Sequence, residues 1–210
     1  MLFKDRIEAG RKLAKKLKGI KNPVCLAVPR GGVVIGAAVA DKLKCPLDII
    51  VARKLGAPNN SELAIGAVSA EGDLVIDESL VKKLGIRHEY ILSKQEDQMK
   101  EAERREKIYR SGRNKLSLKG KSAILLDDGL ATGATMEAAV RSVKRRKAAK
   151  IIVAVPVAPW ETVERFKELV DEVVVFSKPE SFWAIGQFYS EFPQVSDEEV
   201  IKILKQSEFR

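Results

Sequence analysis

Residues 124–135 read ILLDDGLATGAT, an apolar run followed by two adjacent acids and a loop rich in glycine and threonine. The apolar run is typical of a buried strand. Two like charges at the end of such a strand repel each other and are costly to remove from water. We therefore expect Asp127 and Asp128 to face a polar or cationic partner.

The segment after the acids is typical of a turn that leads from a strand into a helix. Free backbone N–H groups and the positive end of the helix dipole bind phosphate at such a turn. Thr132 and Thr135 add hydroxyl donors, and Gly133 lets the backbone approach a ligand closely. The loop lacks the lysine of a Walker A loop, and the chain has no G-x-G-x-x-G. The acids precede this site, where the vicinal hydroxyls of an attached ribose would lie.

The rest of the chain alternates predicted strands and helices, which favours one α/β domain with a parallel sheet covered on both faces. Strands are predicted at 24–28, 47–52, 123–126, 151–157 and 173–176, with a hairpin at 63–77 whose turn lies near Glu71–Gly72. Helices are predicted at 4–18, directly after residues 29–32, at 87–112, at 134–146 and at 161–169. The 87–112 helix carries Leu92, Met99, Ala102 and Tyr109 on one stripe. A Ser196–Glu199 capping box predicts the start of a last short helix. Because ligands bind beyond the carboxyl ends of parallel strands, the loops at 30–32 and 129–133 should meet at one edge.

Residues 123–136, AILLDDGLATGATM, resemble the phosphoribosyl diphosphate (PRPP) signature of type I phosphoribosyltransferases at every position. Other segments follow in the order of that family: VPRGG at 28–32, a strand that ends in Arg53–Lys54, a flexible-loop region and a C-terminal segment. Within the family, the chain looks most like the uncharacterised predicted phosphoribosyltransferases. The resemblance implies a doubly wound, mostly parallel sheet with helices on both faces and a small hood. It also implies a single domain over 1–210, with a core at about 20–176 and a hood at about 178–210 that could include the N-terminal helix.

The resemblance further implies Mg²⁺-dependent transfer of the 5-phosphoribosyl group from PRPP to a nucleobase-like nitrogen acceptor, with release of pyrophosphate. The protein would then be a glycosyltransferase of nucleotide metabolism. The carboxylates would hold the ribose hydroxyls and stabilise the positive charge that develops on the ribose ring. Mg²⁺ would be held mainly by PRPP, without a protein metal site. His88 is given no role.

The same resemblance assigns site residues by position. The acids at the ribose are Asp127 and Asp128; the 5′-phosphate loop is Ala131, Thr132, Gly133, Ala134 and Thr135. The pyrophosphate loop is Arg30, Gly31 and Gly32, where family members often have a non-proline cis peptide, and Arg53 or Lys54 would reach the pyrophosphate from the next strand.

Two segments bear on the acceptor. Ala131 stands where 6-oxopurine enzymes place an acid, which weakens a 6-oxopurine acceptor; adenine-using relatives also have a small residue there. Glu62 is the only acid of GAPNNSELAIG (56–66), a predicted mobile catalytic loop, and is a candidate base or merely an exposed residue that starts a hairpin. Residues 182–192 hold five of the twelve aromatic residues, and these either stack on the acceptor, with Phe182 and Trp183 as hood candidates, or pack on the sheet.

The net charge of +9 is uneven, since residues 160–210 carry −5 and residues 1–159 carry +14. This excess suits an anionic partner, either nucleic acid or a phosphorylated small molecule, although a solvated surface would look the same. A PRPP-binding regulator with nucleic-acid contact is the main alternative, through basic residues Arg104, Arg105, Lys107, Arg110, Arg113 and Lys115. A subunit assembled through the 87–112 helix is a second alternative, and a homodimer stays open.

Cys25 and Cys45 are expected to be reduced, and the lack of a membrane-length apolar run predicts a cytoplasmic protein.

Overall fold

The computed structural model describes residues 1–207, and its strands form two sheets. The strands are β1 (Pro23–Ala27), β2 (Leu47–Ile49), β3 (Ala52–Ala57), β4 (Asn60–Ser69), β5 (Leu74–Ile76), β6 (Ser122–Leu126), β7 (Lys150–Val157) and β8 (Glu172–Ser177). The helices are α1 (Arg6–Lys16), α2 (Gly31–Leu43), α3 (Glu78–Lys83), α4 (His88–Arg110), α5 (Ala134–Arg145), α6 (Trp160–Lys167) and α7 (Asp197–Ser207), with a short 3-10 helix at Ile185–Phe188.

The central sheet is fully parallel and has the strand order β2-β1-β6-β7-β8. Successive side chains of its strands face opposite sides, as the pleat requires. Cys25 and Ile124 pack in one hydrophobic cluster with α1, α2 and α7. Leu26 and Leu125 pack in a second cluster with α5 and α6. The predicted α/β fold, with a mostly parallel sheet covered on both faces, is confirmed.

The strand order reverses between β1 and β6, which makes their carboxyl ends a topological switch point. Ala27 and Leu126 are register partners at the ends of these strands, and the Val28 N–H donates to the Leu126 carbonyl at 2.9 Å. The loops that follow the two strands therefore begin side by side. The pairing explains why residues about 100 positions apart in the sequence share one edge.

A second, antiparallel sheet, β3-β4-β5, packs against α4 and α5. The predicted 63–77 hairpin is confirmed as β4 and β5. The single strand predicted at 47–52 is wrong, because the chain leaves the central sheet after Ile49 and enters the second sheet at Ala52. The 56–66 segment forms the turn of the β3–β4 hairpin and the first part of β4, and its role as a mobile catalytic loop stays a prediction.

The other predicted strands and helices are present in the structure, with differences in one helical stripe and one additional helix. Helix α4 buries Ile91, Ala102 and Tyr109, but the prediction that Leu92 belongs to the same stripe is wrong, because 51% of its surface is exposed. Helix α3 has no counterpart among the predicted elements. The Ser196–Glu199 capping box is confirmed by reciprocal backbone contacts of 2.7 and 3.2 Å.

The N-terminal segment pairs with the chain around the 3-10 helix. The Phe3 N–H donates to the Phe188 carbonyl at 3.0 Å, and the Ser190 N–H donates to the Phe3 carbonyl at 2.9 Å. We call residues 182–193 the hood segment; the predicted hood extends to residue 210, and 208–210 lie outside the described residues. Cys25 and Cys45 are free thiols with sulfur atoms 3.5 Å apart. In the described part of the chain, no helix has the length and apolar content needed to span a membrane.

Candidate active site

A cavity of about 810 Å³ opens at the carboxyl end of β6. Asp127 and residues 129–137 line one side of it. Lys54 and Glu62 from the β3–β4 hairpin line another side, and Ile185 of the hood segment closes a third. The structure therefore brings together one acid of the pair, the predicted phosphate loop and the hairpin.

The predicted phosphate loop leads directly into α5. Gly133 is the N-cap residue with φ of +77°, a conformation that favours glycine, and a Cβ atom there would lie 2.5 Å from the Phe166 ring. Helix α6 holds the loop from outside: the Thr162 hydroxyl donates to the Ala131 carbonyl at 2.8 Å, and the Arg165 guanidinium donates to the Thr132 carbonyl. The first N–H groups of α5 have no partner within the helix, as at any helix N-terminus. The loop is thus held in a shape that suits an anion.

The acid pair has an asymmetric environment. The Asp127 carboxylate accepts a 2.8 Å hydrogen bond from the Asp128 N–H. Burial, reinforced by the adjacent Asp128 charge, raises the pKa of Asp127 well above its usual value. Burial also raises the pKa of Asp128, but Arg6 opposes this effect, because its Nε donates to Asp128 Oδ2 at 2.8 Å. The expectation that the cation facing the acids would be a sugar and not a group of the protein is wrong for Asp128, because Arg6, from the distant helix α1, pairs with it.

The Arg30–Gly32 loop lies against these acids. The Pro29–Arg30 peptide is cis, in agreement with the expectation from the family. A Cβ atom on Gly31 would lie 2.0 Å from Asp128 Oδ2, and one on Gly32 would lie 2.8 Å from the Leu126 carbonyl. Only glycine allows this approach, which places the Arg30–Gly32 loop against residues 126–128 at the same edge of the sheet. None of its three residues lines the cavity with residues 129–137, so a site shared by the two glycine loops stays a prediction. The Arg30 side chain itself lies 3.5 Å from Asp197, the first residue of α7.

The cations predicted on β3 differ in accessibility. Arg53 packs against α4, where its Nε donates to Gln98 at 2.7 Å, and burial followed by the Arg105 charge lowers its pKa. Lys54 lines the cavity and lies 3.8 Å from the Glu62 carboxylate, with half of its side chain exposed. Of the two, Lys54 is therefore the better placed to reach a ligand in the cavity.

The hood aromatics divide between packing and exposure. Phe188 and Tyr189 are buried, and Phe182 packs on Phe188 with ring centroids 5.2 Å apart. Trp183 is 90% exposed and makes no ring contact among residues 1–207. The core alternative therefore holds for Phe188 and Tyr189, and contact with the acceptor stays a prediction for Trp183.

Three residues of the site have no signal in the sequence, namely Arg6, Thr162 and Arg165, and the sequence predicts Tyr189 only as a stacking or packing ring. Each contacts the acids or the phosphate loop from a distant element, as when the Tyr189 hydroxyl donates to the Asp128 carbonyl at 2.6 Å. No spacing rule links such positions, so only the fold reveals them. Within residues 1–207, no group of three or more His, Cys, Asp or Glu side chains could hold a metal ion.

A parallel sheet with an acid pair, a phosphate loop and a glycine loop at its switch point defines an α/β protein of the kind that binds phosphorylated ligands. The phosphoribosyl transferase domain matches residues 4–193. The chain therefore belongs to the phosphoribosyl transferase family.

Known proteins similar to this chain agree with that assignment. Two curated proteins from two strains of Mycobacterium tuberculosis, both provisionally named phosphoribosyl transferases, are 41% identical to it over 205 residues. The match covers 97% of this chain and 46% of theirs, so the chain spans about half the length of the curated relatives it matches. A Thermus thermophilus protein of known crystal structure is 42% identical, with a TM-score of 0.82 over 98% of this chain and 99% of that one. An Aquifex aeolicus structure, 15% identical with a TM-score of 0.50 over 81% and 73% of the two chains, shares the fold.

Proposed function

We propose that the chain is an Mg²⁺-dependent phosphoribosyltransferase that transfers the 5-phosphoribosyl group of PRPP to a small nitrogen acceptor, nucleobase-like, and releases pyrophosphate. The observation that carries the proposal is the cavity in which Asp127 lies beside the loop that leads into α5. An acid placed one loop away from a phosphate site matches a ribose 5-phosphate, whose hydroxyls and phosphate are separated by the sugar ring. Membership of the family supports the same chemistry.

In the proposed complex, the N–H groups of residues 131–135 and the start of α5 bind the 5′-phosphate. Arg165 strengthens this end, because it lines the cavity and already holds the Thr132 carbonyl. Gly31 and Gly32 present backbone groups to the pyrophosphate next to the acids. Lys54 is the cation that approaches this group from β3.

The proposed reaction breaks the bond between the anomeric carbon and pyrophosphate and forms a bond from that carbon to the acceptor nitrogen. Positive charge develops on the ribose ring as the pyrophosphate leaves. The carboxylates of Asp127 and Asp128 stabilise this charge more strongly than they stabilise bound PRPP, and such differential binding accelerates a reaction. Mg²⁺, coordinated mainly by the pyrophosphate and ribose oxygens of PRPP, would neutralise charge on the leaving group.

We place the acceptor between the β3–β4 hairpin and the hood segment, where Glu62 and Ile185 line the cavity. Glu62 is the proposed base; 89% of its side chain is exposed, so it would act only after the hairpin or the acceptor moves toward it. Phe182 and Trp183 are proposed to contact a flat acceptor, and Ala131 leaves the site without the acid expected for a 6-oxopurine.

The charge pattern of α4 gives the regulatory alternative little support. Glu101 pairs with both Arg104 and Arg105, and Glu106 pairs with both Arg110 and Lys115. Basic residues that already have acidic partners attract nucleic-acid phosphates less than free ones do. These ion pairs favour PRPP binding in the cavity over nucleic-acid binding by the basic residues.

Incubation of the protein with PRPP, Mg²⁺ and a panel of purines, pyrimidines, other nitrogen heterocycles and amines tests the proposal. We expect one class of acceptor to stimulate pyrophosphate release at least tenfold over PRPP alone, and the Asp127→Asn, Asp128→Asn double variant to lose this stimulation. PRPP binding by calorimetry, without turnover for any acceptor and with salt-dependent RNA binding, would instead support the regulator. Turnover that is unchanged in the double variant would contradict the proposed roles of the acids.

A further inference from the structure

Arg6, the first residue of α1, lies at the junction of three parts of the site. Its Nε donates to Asp128 Oδ2 at 2.8 Å, and its Nη1 donates to the Pro193 carbonyl at 2.8 Å. The guanidinium also stacks on Phe192, with Cζ 3.7 Å from the ring centroid. A Cβ atom on Gly31 would lie 2.9 Å from Arg6 Nε, so the same group borders the pyrophosphate loop.

These contacts are buried and specific. The Arg6 and Asp128 side chains are 9% and 13% exposed, so the ion pair is largely shielded from water. Removal of one partner from such a pair leaves an uncompensated charge and is strongly destabilising. The Tyr189 hydroxyl fixes the backbone of the same acid through the Asp128 carbonyl at 2.6 Å. Both side chains that hold this acid lie outside the sequence motif that contains it.

The ion pair also changes the charge balance of the acid pair. Two adjacent buried carboxylates without a cation tend to share one proton, because like charges a few ångströms apart resist double ionisation. With Arg6 included, the group of Arg6, Asp127 and Asp128 carries one net negative charge when both acids are ionised. Arg6 therefore lowers the cost of ionising Asp128 beside Asp127, while burial still raises the pKa of both acids.

We propose that Arg6 is a positioning residue, which holds the Asp128 carboxylate against the Arg30–Gly32 loop and ties it to the hood segment, while Asp127 faces the cavity. The proposal deepens the proposed function and rests on it for its catalytic consequence. The contacts of Arg6 themselves are present in the folded chain without PRPP and do not depend on the proposed function. The charged and titratable groups that face Asp128 are Arg6 from α1, Asp127 from its own loop and Tyr189 from the hood segment.

The kinetic test compares Arg6→Met and Arg6→Lys with Arg11→Met, a matched change at an exposed position of the same helix. We expect Arg6→Met to lower kcat/KM at least tenfold at pH 7 and to move the acidic limb of its pH profile upward by about one unit or more, because the neighbouring cation no longer favours the carboxylate. Arg6→Lys should return the acidic limb most of the way to its wild-type pH. Lysine keeps the positive charge near Asp128, although it loses the second hydrogen bond, to the Pro193 carbonyl. Arg11→Met should leave the profile unchanged. A uniform loss of activity with an unshifted limb would overturn the proposal.

A second measurement needs neither turnover nor a folded Arg6 variant. Titration of wild-type protein carrying ¹³C-labelled aspartate carboxyls, assigned with single Asp→Asn variants, should show that Asp127 takes up a proton at higher pH than Asp128. The reverse order would overturn the role of Arg6 even if PRPP is a substrate. The expected order in a protein that fails to bind PRPP would leave Arg6 as assigned and remove the proposed function instead.

Discussion

Asp127→Asn is expected to make the protein more stable and, at the same time, much less active. In the folded state, burial and the adjacent Asp128 charge raise the pKa of Asp127. Ionisation at neutral pH therefore costs the folded state free energy that the unfolded state does not lose. Asparagine is neutral, and its side-chain oxygen can still accept the hydrogen bond from the Asp128 N–H. The variant removes the cost and keeps the contact.

The size of the gain follows from the shift in pKa. Each unit by which folding raises the pKa corresponds to about 1.4 kcal/mol, or about 3–6 °C in melting temperature for a chain of this size. The gain has a defined pH dependence: it is absent below about pH 4, where the acid is protonated in both states, and it grows as pH rises toward the folded-state pKa. Above that pKa it is constant. The same variant should lose about 10²–10³-fold in kcat, as other preorganised electrostatic groups do when removed.

Calorimetric melting between pH 3 and pH 8, beside an assay of pyrophosphate release, measures both effects. Asp97→Asn, at an exposed position of α4, is the matched control and should change neither the melting temperature nor kcat appreciably. A variant of Asp127 that melts at or below the wild-type temperature at pH 7 would refute the reasoning about burial. A stabilised variant with full activity would refute the catalytic role while leaving the electrostatics intact.

Four further substitutions test other parts of the site. Gly133→Val should abolish binding of ribose 5-phosphate and of PRPP in calorimetry, because its Cβ would clash with Phe166, 2.5 Å away, and distort the loop. Arg165→Met should weaken ribose 5-phosphate binding about tenfold and leave pyrophosphate binding unchanged, since it lies at the phosphate end. Trp183→Ala should raise the acceptor KM several-fold without changing the melting temperature, because the ring is 90% exposed, whereas Phe188→Ala should cost about 3–5 kcal/mol of stability.

The parts of the fold that could be predicted are those that depend on local patterns. A short apolar run such as 123–126, followed by turn-forming residues, favours a buried strand, and the glycines after Pro29 mark a turn into a buried helix. The predicted phosphate loop stands out in the sequence because the groups that would bind a phosphate belong to consecutive residues of one backbone segment. The predicted strands at 151–157 and 173–176 agree with β7 and β8 within one residue at each end.

The features that sequence patterns could not supply are all set by tertiary packing. Residues 47–52 read as one β-rich run, yet the run belongs to two sheets because β2 pairs with β1 and β3 packs against α4. Leu92 fits a helical stripe, but the face of α4 that packs on the second sheet is centred on its neighbour Ile91. Arg6 lies 122 residues from Asp128, and no periodicity connects them. The residues that tune the acids therefore come from outside the motif that contains them.

The cations around the cavity already have acidic partners, and burial decides which of them could exchange that partner for PRPP. Lys54 lies 3.8 Å from Glu62 in an exposed pair, and such pairs contribute little stability. Arg30 lies 3.5 Å from Asp197 in a half-exposed pair. Arg6 is held in a buried pair whose rupture would be costly. Arrival of a polyanion should therefore release Lys54 first and Arg30 next, while Arg6 stays on Asp128 and keeps its carboxylate in place.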